Sequence, residues 1–405
     1  MLTYPEALER LLAMATPVAE IRHLPLLAAV GRVLAQSQFS SVAVPPLDNS
    51  AMDGYAVRSA DIAAPGVCLP VTQRIPAGSV GHALEPGSAA RIFTGAPIPP
   101  GADAVVMQEL CEQRENGVVI RHLPRVGENI RRRGEDMDVG QEILAAGTLL
   151  RPQELALAAS AGLAELPVLR RLRVAVFSTG DELHEPGQPL PTGGIYNSNQ
   201  FALISLLETM GCEVRNLGHI PDDLAVTRAA LRQAANENDL VITSGGVSVG
   251  DEDHVKPAVQ AEGELDLWQV AIKPGKPLAL GRLRRSGGRQ GETAWFVGLP
   301  GNPVSAFVTF LVLVRPFLQR LQGRAVGLPQ PYRLPAGFAW QRDTPLYEFL
   351  RVRRDAAGQL VLFPNQSSAV VTSLVWSEGL AIKPPHARIG PGELVDFLPF
   401  AELLA

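Results

Sequence analysis

Apolar positions recur at helical spacing in only a few stretches of this chain; elsewhere they come in short runs broken by glycine and proline. Leu8, Leu11, Leu12 and Met14 fit one helix face, and a second helix-like stretch leads up to Gly31, so residues 5–35 are expected to be helical. From Val42 to about Asp138 the pattern changes. Gly54–Val57, Ala90–Phe93, Ala104–Met107 and Gly117–Ile120 are short strand-like runs between Gly/Pro turns, which predicts a small, mostly β domain. Helical pattern returns at Arg151–Ala161, with Pro152 at a first-turn position.

Between Arg173 and about Gly323, strand and helix patterns alternate. The predicted strands are Arg173–Ser178, Glu213–Leu217, Asp239–Thr243 and Trp295–Val297; the predicted helices are Asn199–Met210, Leu224–Asn236 and Pro303–Leu321. Asp222 and Asn302 are expected as N-caps, with Pro303 at the first helical position. This alternation predicts a doubly wound parallel sheet with helices on both faces, whose ligands bind beyond the carboxyl ends of the strands. After about Pro329 the chain is strand-like again, at Phe349–Arg353, Leu360–Phe363, Gly379–Lys383 and Glu393–Phe397, which predicts a small C-terminal β-barrel. The expected class is multidomain α/β plus β.

Length adds that 405 residues exceed one ordinary core. A net charge of −5 argues against a broad nucleic-acid surface, which needs a basic footprint. Cys68, Cys111 and Cys212 are widely spaced with no CxxC, which fits a reducing compartment and gives no zinc or iron–sulfur pattern. The N-terminus lacks the basic-then-apolar layout of a secretory signal. Unbroken apolar runs such as Phe310–Val314 fall far below the ~20 residues of a membrane span. A cytoplasmic protein is expected, with neither nucleic acid nor membrane as partner.

The candidate chemistry lies where predicted strands end. Asp239–Asp253 begins as an apolar strand, breaks into a glycine turn and ends in Asp251, Glu252 and Asp253. Ser244, Gly245, Gly246, Ser248 and Gly250 let backbone N–H groups approach an anion. Carboxylates beside a phosphate site suit Mg²⁺, although the same stretch reads as a strand-to-helix connection with solvated acids. Thr179-Gly-Asp-Glu182 places two carboxylates at another strand end, as ligands or as a turn pair. Lys273 and Lys276 lie on a proline-flanked turn and suit a compact dianion, or simply a surface hairpin. Arg131, Arg132 and Arg133 stand beside Glu135 and Asp136, and arginine forks suit oxyanions. Asp48 and Asp53 can orient a substrate or metal, or serve a plain Asp/Asn/Gly turn. Thr94, next to Gly95, can donate to an anion or only end a strand. Pro300-Gly-Asn302 closes a third strand. No histidine pairs with a cysteine or histidine at metal-ligand spacing.

Taken in order, DNSAMDGYAV, RIFTGAPIPPGADAVV, GENIRRRGED, STGDEL, YNSNQ, SGGVSVGDED, KPGKP and GLPGNPVSA resemble the molybdopterin molybdenumtransferase family (MoeA) and the similar E domain of gephyrin. The resemblance covers nearly the whole chain and is least distinct after Pro329. It implies a discontinuous N-terminal domain (1–46 and 139–170), an inserted β domain (47–138), an α/β molybdopterin-binding domain (171–325) and a C-terminal β-barrel domain (326–405). It also implies a homodimer, with molybdopterin adenylyltransferase as a further partner, that inserts molybdate into adenylylated molybdopterin with Mg²⁺-dependent release of AMP. Positions carried over are Asp53, Thr94, Arg131, Asp136, Glu182, Asp222, Asp253, Lys273, Lys276 and Ser368. Glu182, Asp222 and Asp253 are the expected metal set; Ser244–Gly246, Ser248, Gly250, Pro300 and Asn302 complete the substrate set. Where such families write a single acid after the glycine turn, this chain has three, so Asp251 and Glu252 compete with Asp253. Two other readings remain: a molybdopterin adenylyltransferase, which consumption of ATP would favour, and a non-enzymatic, gephyrin-like scaffold, which would need a linker or an exposed apolar groove.

Overall fold

A computed structural model of the chain describes residues 1–246, 254–286, 292–324 and 329–404. The chain divides into two compact units. One comprises Met1–Arg22, Gly31–Val33 and Leu169–Ala405; the other comprises His23–Val30 and Leu34–Val168.

The larger unit is organised by a six-stranded sheet. Its strands are β1 (Arg173–Thr179), β2 (Glu213–Ile220), β3 (Leu240–Ser244), β4 (Gly263–Gln269), β5 (Pro277–Arg284) and β6 (Thr293–Leu299), in the spatial order β2-β1-β3-β6-β5-β4. The first four of that order run parallel, in register such as Val176↔Ile242↔Val297. β5 pairs antiparallel with both β6 and β4, so the sheet is mixed rather than wholly parallel. The reason is the short connection at Gly275: residues 270–276 return the chain as a turn, where a parallel neighbour needs a crossover of a dozen residues or more.

Side-chain alternation along the strands explains the two covered faces. Val174, Val176, Leu240, Ile242 and Val297 point into a core shared with helices Tyr4–Met14, Ser198–Thr209 and Pro303–Leu321. Ala175, Phe177, Val241 and Phe296 point the other way, onto helices Leu224–Glu237 and Val255–Glu262. Helix Tyr4–Met14 is closed by a capping box between Thr3 and Glu6. The expected second helix before Gly31 is instead a strand, Ile21–Pro25, and a 3₁₀ turn, Leu26–Ala29. Pro25 follows an extended segment and cannot supply the N–H a continued helix needs.

Helix Pro303–Leu321 is 19 residues long with mean hydropathy 1.5, long and apolar enough to cross a membrane by length and composition, yet 89% of it is buried inside the protein. It includes a π-helical turn at Phe310–Val314, every residue of which is buried. Pro303 starts the helix at its first position, as expected, and Pro316 is tolerated directly after the π turn.

The C-terminal segment forms a second sheet, not a closed barrel: strands Tyr332–Pro335, Tyr347–Arg354, Gly379–Lys383 and Leu394–Pro399 build it, and Ile272–Lys273 adds an edge in parallel with Tyr347–Glu348. Two different end strands remain, and neither closes on the other. Inside it, Lys383 Nζ lies 3.4 Å from Glu348 Oε1 with side-chain exposures of 0% and 1%, and Thr344 Oγ1 donates to the same oxygen at 2.9 Å. Removing one buried partner strands a charge. Lys383→Met is therefore expected to cost about 3–5 kcal/mol, whereas replacing both residues by apolar ones is expected to be close to neutral. Urea unfolding of the single and double variants checks this, and equal losses in both would contradict it.

The smaller unit holds a four-stranded sheet of Val71–Ile75, Ala89–Ile92, Gly54–Val57 and Ala104–Met107, and a three-stranded one of Val67–Leu69, Gly117–Ile120 and Cys111–Arg114. Tyr55, Val57, Val106, Val118 and Ile120 share one core. Helix Pro152–Ser160 packs on Leu34, Leu144, Leu166 and Val168.

Candidate functional site

The carboxyl ends of β1, β3 and β6 open into a cleft of about 850 Å³ in the larger unit. Glu182, Ser244, Gly245, Gly246, Lys276, Pro300 and Asn302 line it, which brings together seven residues expected from four separate segments. A second recess of about 610 Å³ is lined by Lys273, Lys276, Arg342, Gln366, Ser367 and Ser368, among others. Gly275, Lys276 and Ser305 belong to both walls, so one lysine turn divides the two spaces. Ser248, Gly250 and Asp253, with Asp251 and Glu252, lie outside the described residues.

Gly275 makes that turn possible. It adopts φ +97°, and a Cβ there would collide with Thr309 Oγ1 on the long helix, so only glycine lets the turn lie against that helix. The turn leaves the edge strand Ile272–Lys273 and enters β5 at Pro277. Lys276 O accepts from Val270 N at 2.9 Å, which closes it.

Acids collect after β1. Gly180 has φ +132°, and a side chain on it would strike the Glu182 carboxylate at 2.6 Å, so the loop folds back tightly. His219, on β2, meets Gly180 O at 3.0 Å. Asp222 does not cap the next helix as expected. Asp223 does, accepting from Val226 N at 2.8 Å, and the neighbouring Asp222 is left for the site. Burial pushes the Asp222 carboxyl above its ordinary range; a hydrogen bond from the Asp181 backbone opposes this, and the Asp181 and Glu182 charges add to it. No three His, Cys, Asp or Glu side chains form a metal-type group among the described residues. Asp181 and Glu182 nonetheless add their charge at Asp222, where His254 opposes it, and such a concentration of carboxylates fits a hard divalent ion.

A raised folded-state pKa means that folding favours protonated Asp222. The stability this gives is complete below the unfolded pKa and is lost as pH rises through the folded one. Asp222→Asn is therefore expected to raise the Tm at neutral pH, with the gain vanishing in acid. Thermal melts across that range check it; a Tm lowered at neutral pH would contradict it.

The wall carrying Ser368 was legible only in part. Arg351 is 1% exposed and holds this loop from behind, donating to Ser367 O at 3.1 Å and Ser373 Oγ at 3.3 Å. Burial pulls its guanidinium down to about 10. Gln366 locks on through its amide to Arg351 O at 3.0 Å, and Val304 N donates to Ser368 O at 2.9 Å. Arg342 and Ser367 escaped sequence reasoning because they stand in irregular segments without a local signature. Asn199, Asn197 and Ser305 were signalled by YNSNQ and GLPGNPVSA but not singled out. The Asn199 amide donates to Gly301 O at 2.7 Å and ties two loops of the cleft.

In the smaller unit, Asp53 Oδ1 accepts from Thr94 N at 2.7 Å and Thr94 Oγ1 at 2.8 Å, uniting two expected residues. Those bonds hold the Asp53 carboxyl below the usual range. Asp48 is occupied: Arg132 Nη1 reaches it at 2.6 Å and Arg133 N at 2.8 Å. Arg131 is exposed on a short strand, Ile130–Arg131, paired with Asn49–Ser50, and Asp136 donates its N–H to Val44 O.

Three family models match the chain. Residues 2–162 match the MoeA N-terminal region (domain I and II), 175–320 a probable molybdopterin binding domain, and 333–400 the MoeA C-terminal region (domain IV). A molybdopterin molybdenumtransferase of Haemophilus influenzae is 46% identical over 412 residues, spanning 100% of both chains. One from Synechococcus elongatus is 38% identical and covers 95% of this chain and 96% of its own. The crystal structure of a molybdopterin biosynthesis MoeA protein from Pyrococcus horikoshii OT3 superposes with a TM-score of 0.84 at 29% identity, covering 98% of this chain and 99% of that one.

Proposed function

Because the chain belongs to the MoeA family of molybdopterin molybdenumtransferases, we propose that it acts on adenylylated molybdopterin and releases AMP in a Mg²⁺-dependent reaction as molybdate enters. It is an enzyme of molybdenum-cofactor synthesis, and molybdenum insertion into molybdopterin is its activity.

One observation carries that reading: the Lys273–Lys276 turn separates a lysine-walled recess from a cleft that holds Glu182 and a glycine turn. In the recess, Lys273, Lys276 and Ser368 offer charged and neutral donors to molybdate oxygens, and such donors fixed in advance are the economical way to hold a dianion. In the cleft, the Ser244–Gly246 turn receives the phosphates, and Asn302 and Pro300 shape the opposite wall. Glu182, Asp222 and Asp253 would hold Mg²⁺, which supplies Lewis-acid stabilisation of phosphoryl oxygens. Asp53 and Thr94 are assigned to catalysis and Arg131 and Asp136 to substrate, as a second set.

The decisive assay incubates purified protein with adenylylated molybdopterin, Mg²⁺ and molybdate and measures AMP, with each component left out in turn. Release that persists without molybdate or without Mg²⁺ overturns this coupling. The reading also assigns the protein to the cytoplasm, as a homodimer in contact with the adenylyltransferase that makes its substrate, with four domains at 1–46 with 139–170, 47–138, 171–325 and 326–405. Sedimentation at micromolar concentration is expected to give the mass of two chains; a monomer would count against the dimer.

A further inference from the structure

Tyr196 is the one aromatic side chain among the described residues that line the larger cleft. It lies on Ile195–Tyr196, which pairs in parallel with Leu183–His184 directly after Glu182. Its hydroxyl donates to Gln188 O at 2.8 Å, so the ring is held at both ends, and still the residue is 43% exposed. A ring tethered in this way has given up rotamer freedom without gaining burial, and the residue stays exposed on the cleft it lines. Ile195, 54% exposed, and Leu183 stand beside it, and Val371, 40% exposed, lines the same space. Apolar walls next to a phosphate-receiving turn suit a flat heteroaromatic ring attached to a phosphate.

Two such rings belong to the substrate of the proposed reaction, the purine and the pterin. The part of the substrate that receives the metal must face the lysine turn, where the recess opens at Gly275, Lys276 and Ser305. The phosphate link to be cut lies by the acids, and the adenylyl group continues beyond it. Tyr196 pairs with His184, two residues beyond Glu182 in the chain, and takes no part in the recess. We infer that Tyr196 is the stacking platform for the purine ring of the leaving adenylyl group. The inference rests on the reaction proposed above.

AMP and ribose 5-phosphate, which lacks the base, separate a ring contact from a structural one. Both are titrated calorimetrically into the full-length protein with Mg²⁺, as wild type, Tyr196→Phe and Tyr196→Ala. Base–aromatic stacking predicts that Tyr196→Ala weakens AMP about tenfold. Ribose 5-phosphate is expected to stay within about twofold, and Tyr196→Phe to keep AMP within about threefold, because the ring persists. Equal losses for both ligands in Tyr196→Ala make the residue structural and overturn the inference, as does unchanged AMP affinity. If the wild type neither binds nor releases AMP, the reaction reading itself falls, and the inference with it.

Discussion

Lys276→Ala is expected to raise the molybdate needed for half-maximal AMP release by about tenfold or more. Each charge-assisted hydrogen bond to a bound dianion is worth roughly 1.5–3 kcal/mol, and ~1.4 kcal/mol is a factor of ten. The two lysines differ in what else they do. Lys273 lines only the smaller recess, so Lys273→Ala is expected to change the molybdate requirement and little else. Lys276 lines both spaces, and its loss is expected to weaken the adenylylated pterin as well, though less, because those phosphates also meet the Ser244–Gly246 turn. Titrating molybdate against AMP release at fixed pterin tests both. An unchanged molybdate dependence with a fall in pterin affinity would make both lysines phosphate binders and remove the oxyanion assignment.

Glu182→Gln is expected to abolish Mg²⁺-dependent AMP release, lowering the rate by about a hundredfold or more, which is close to 2.7 kcal/mol of barrier. The amide keeps the shape of the loop over Gly180 but takes away the charge that a hard cation needs. Folding is expected to be untouched, because Glu182 lies on the cleft wall and not in the core. AMP release measured across a Mg²⁺ series, alongside a thermal melt, checks this. Wild-type turnover by the variant in chelator-free buffer would strike Glu182 from the metal set, and Asp253→Asn is subject to the same test.

Legibility in the sequence followed the range of the interactions. The strand Leu240–Ser244 and the glycines after it were readable, because an apolar run followed by small residues leaves few alternatives. The helix begun by Asn302 and Pro303 was readable for the same local reason. The antiparallel edge was not. Gly263–Gln269 alternates polar and apolar residues, and nothing in it says which way its partner runs; the brevity of the Gly275 turn decides that. Asp222 and Asp223 are indistinguishable as caps until the helix start is fixed to the residue. Asp48 looked free because its partners, Arg132 and Arg133, lie more than 80 positions away in the chain. Arg351 falls within the predicted strand Phe349–Arg353 with nothing local to mark it, and only the fold reveals that it is walled in behind the Ser368 loop.

The π turn at Phe310–Val314 has a consequence for insertions and deletions. Such a turn accommodates one residue more than an α-helix would, so the segment is wound slightly open. Ahead of it, Asn302 and Ser305 reach the cleft; behind it, Phe317, Leu318 and Leu321 are sealed in the core. Because the turn already absorbs one extra residue, deleting one between Phe310 and Val314 lets the helix close into regular α form with its two ends kept in register. Inserting one elsewhere in the helix instead rotates one end against the other by about 100°, the angle one residue subtends. Both ends are buried, so such an insertion would carry either Ser305 off the cleft wall or Leu318 out of the core. Exchanging one aliphatic residue for another of similar volume there costs less than about 1.5 kcal/mol. This stretch therefore tolerates both aliphatic exchanges and the loss of one residue, where the rest of the helix tolerates no change in length, and an indel scan read against a substitution scan would make that asymmetry visible.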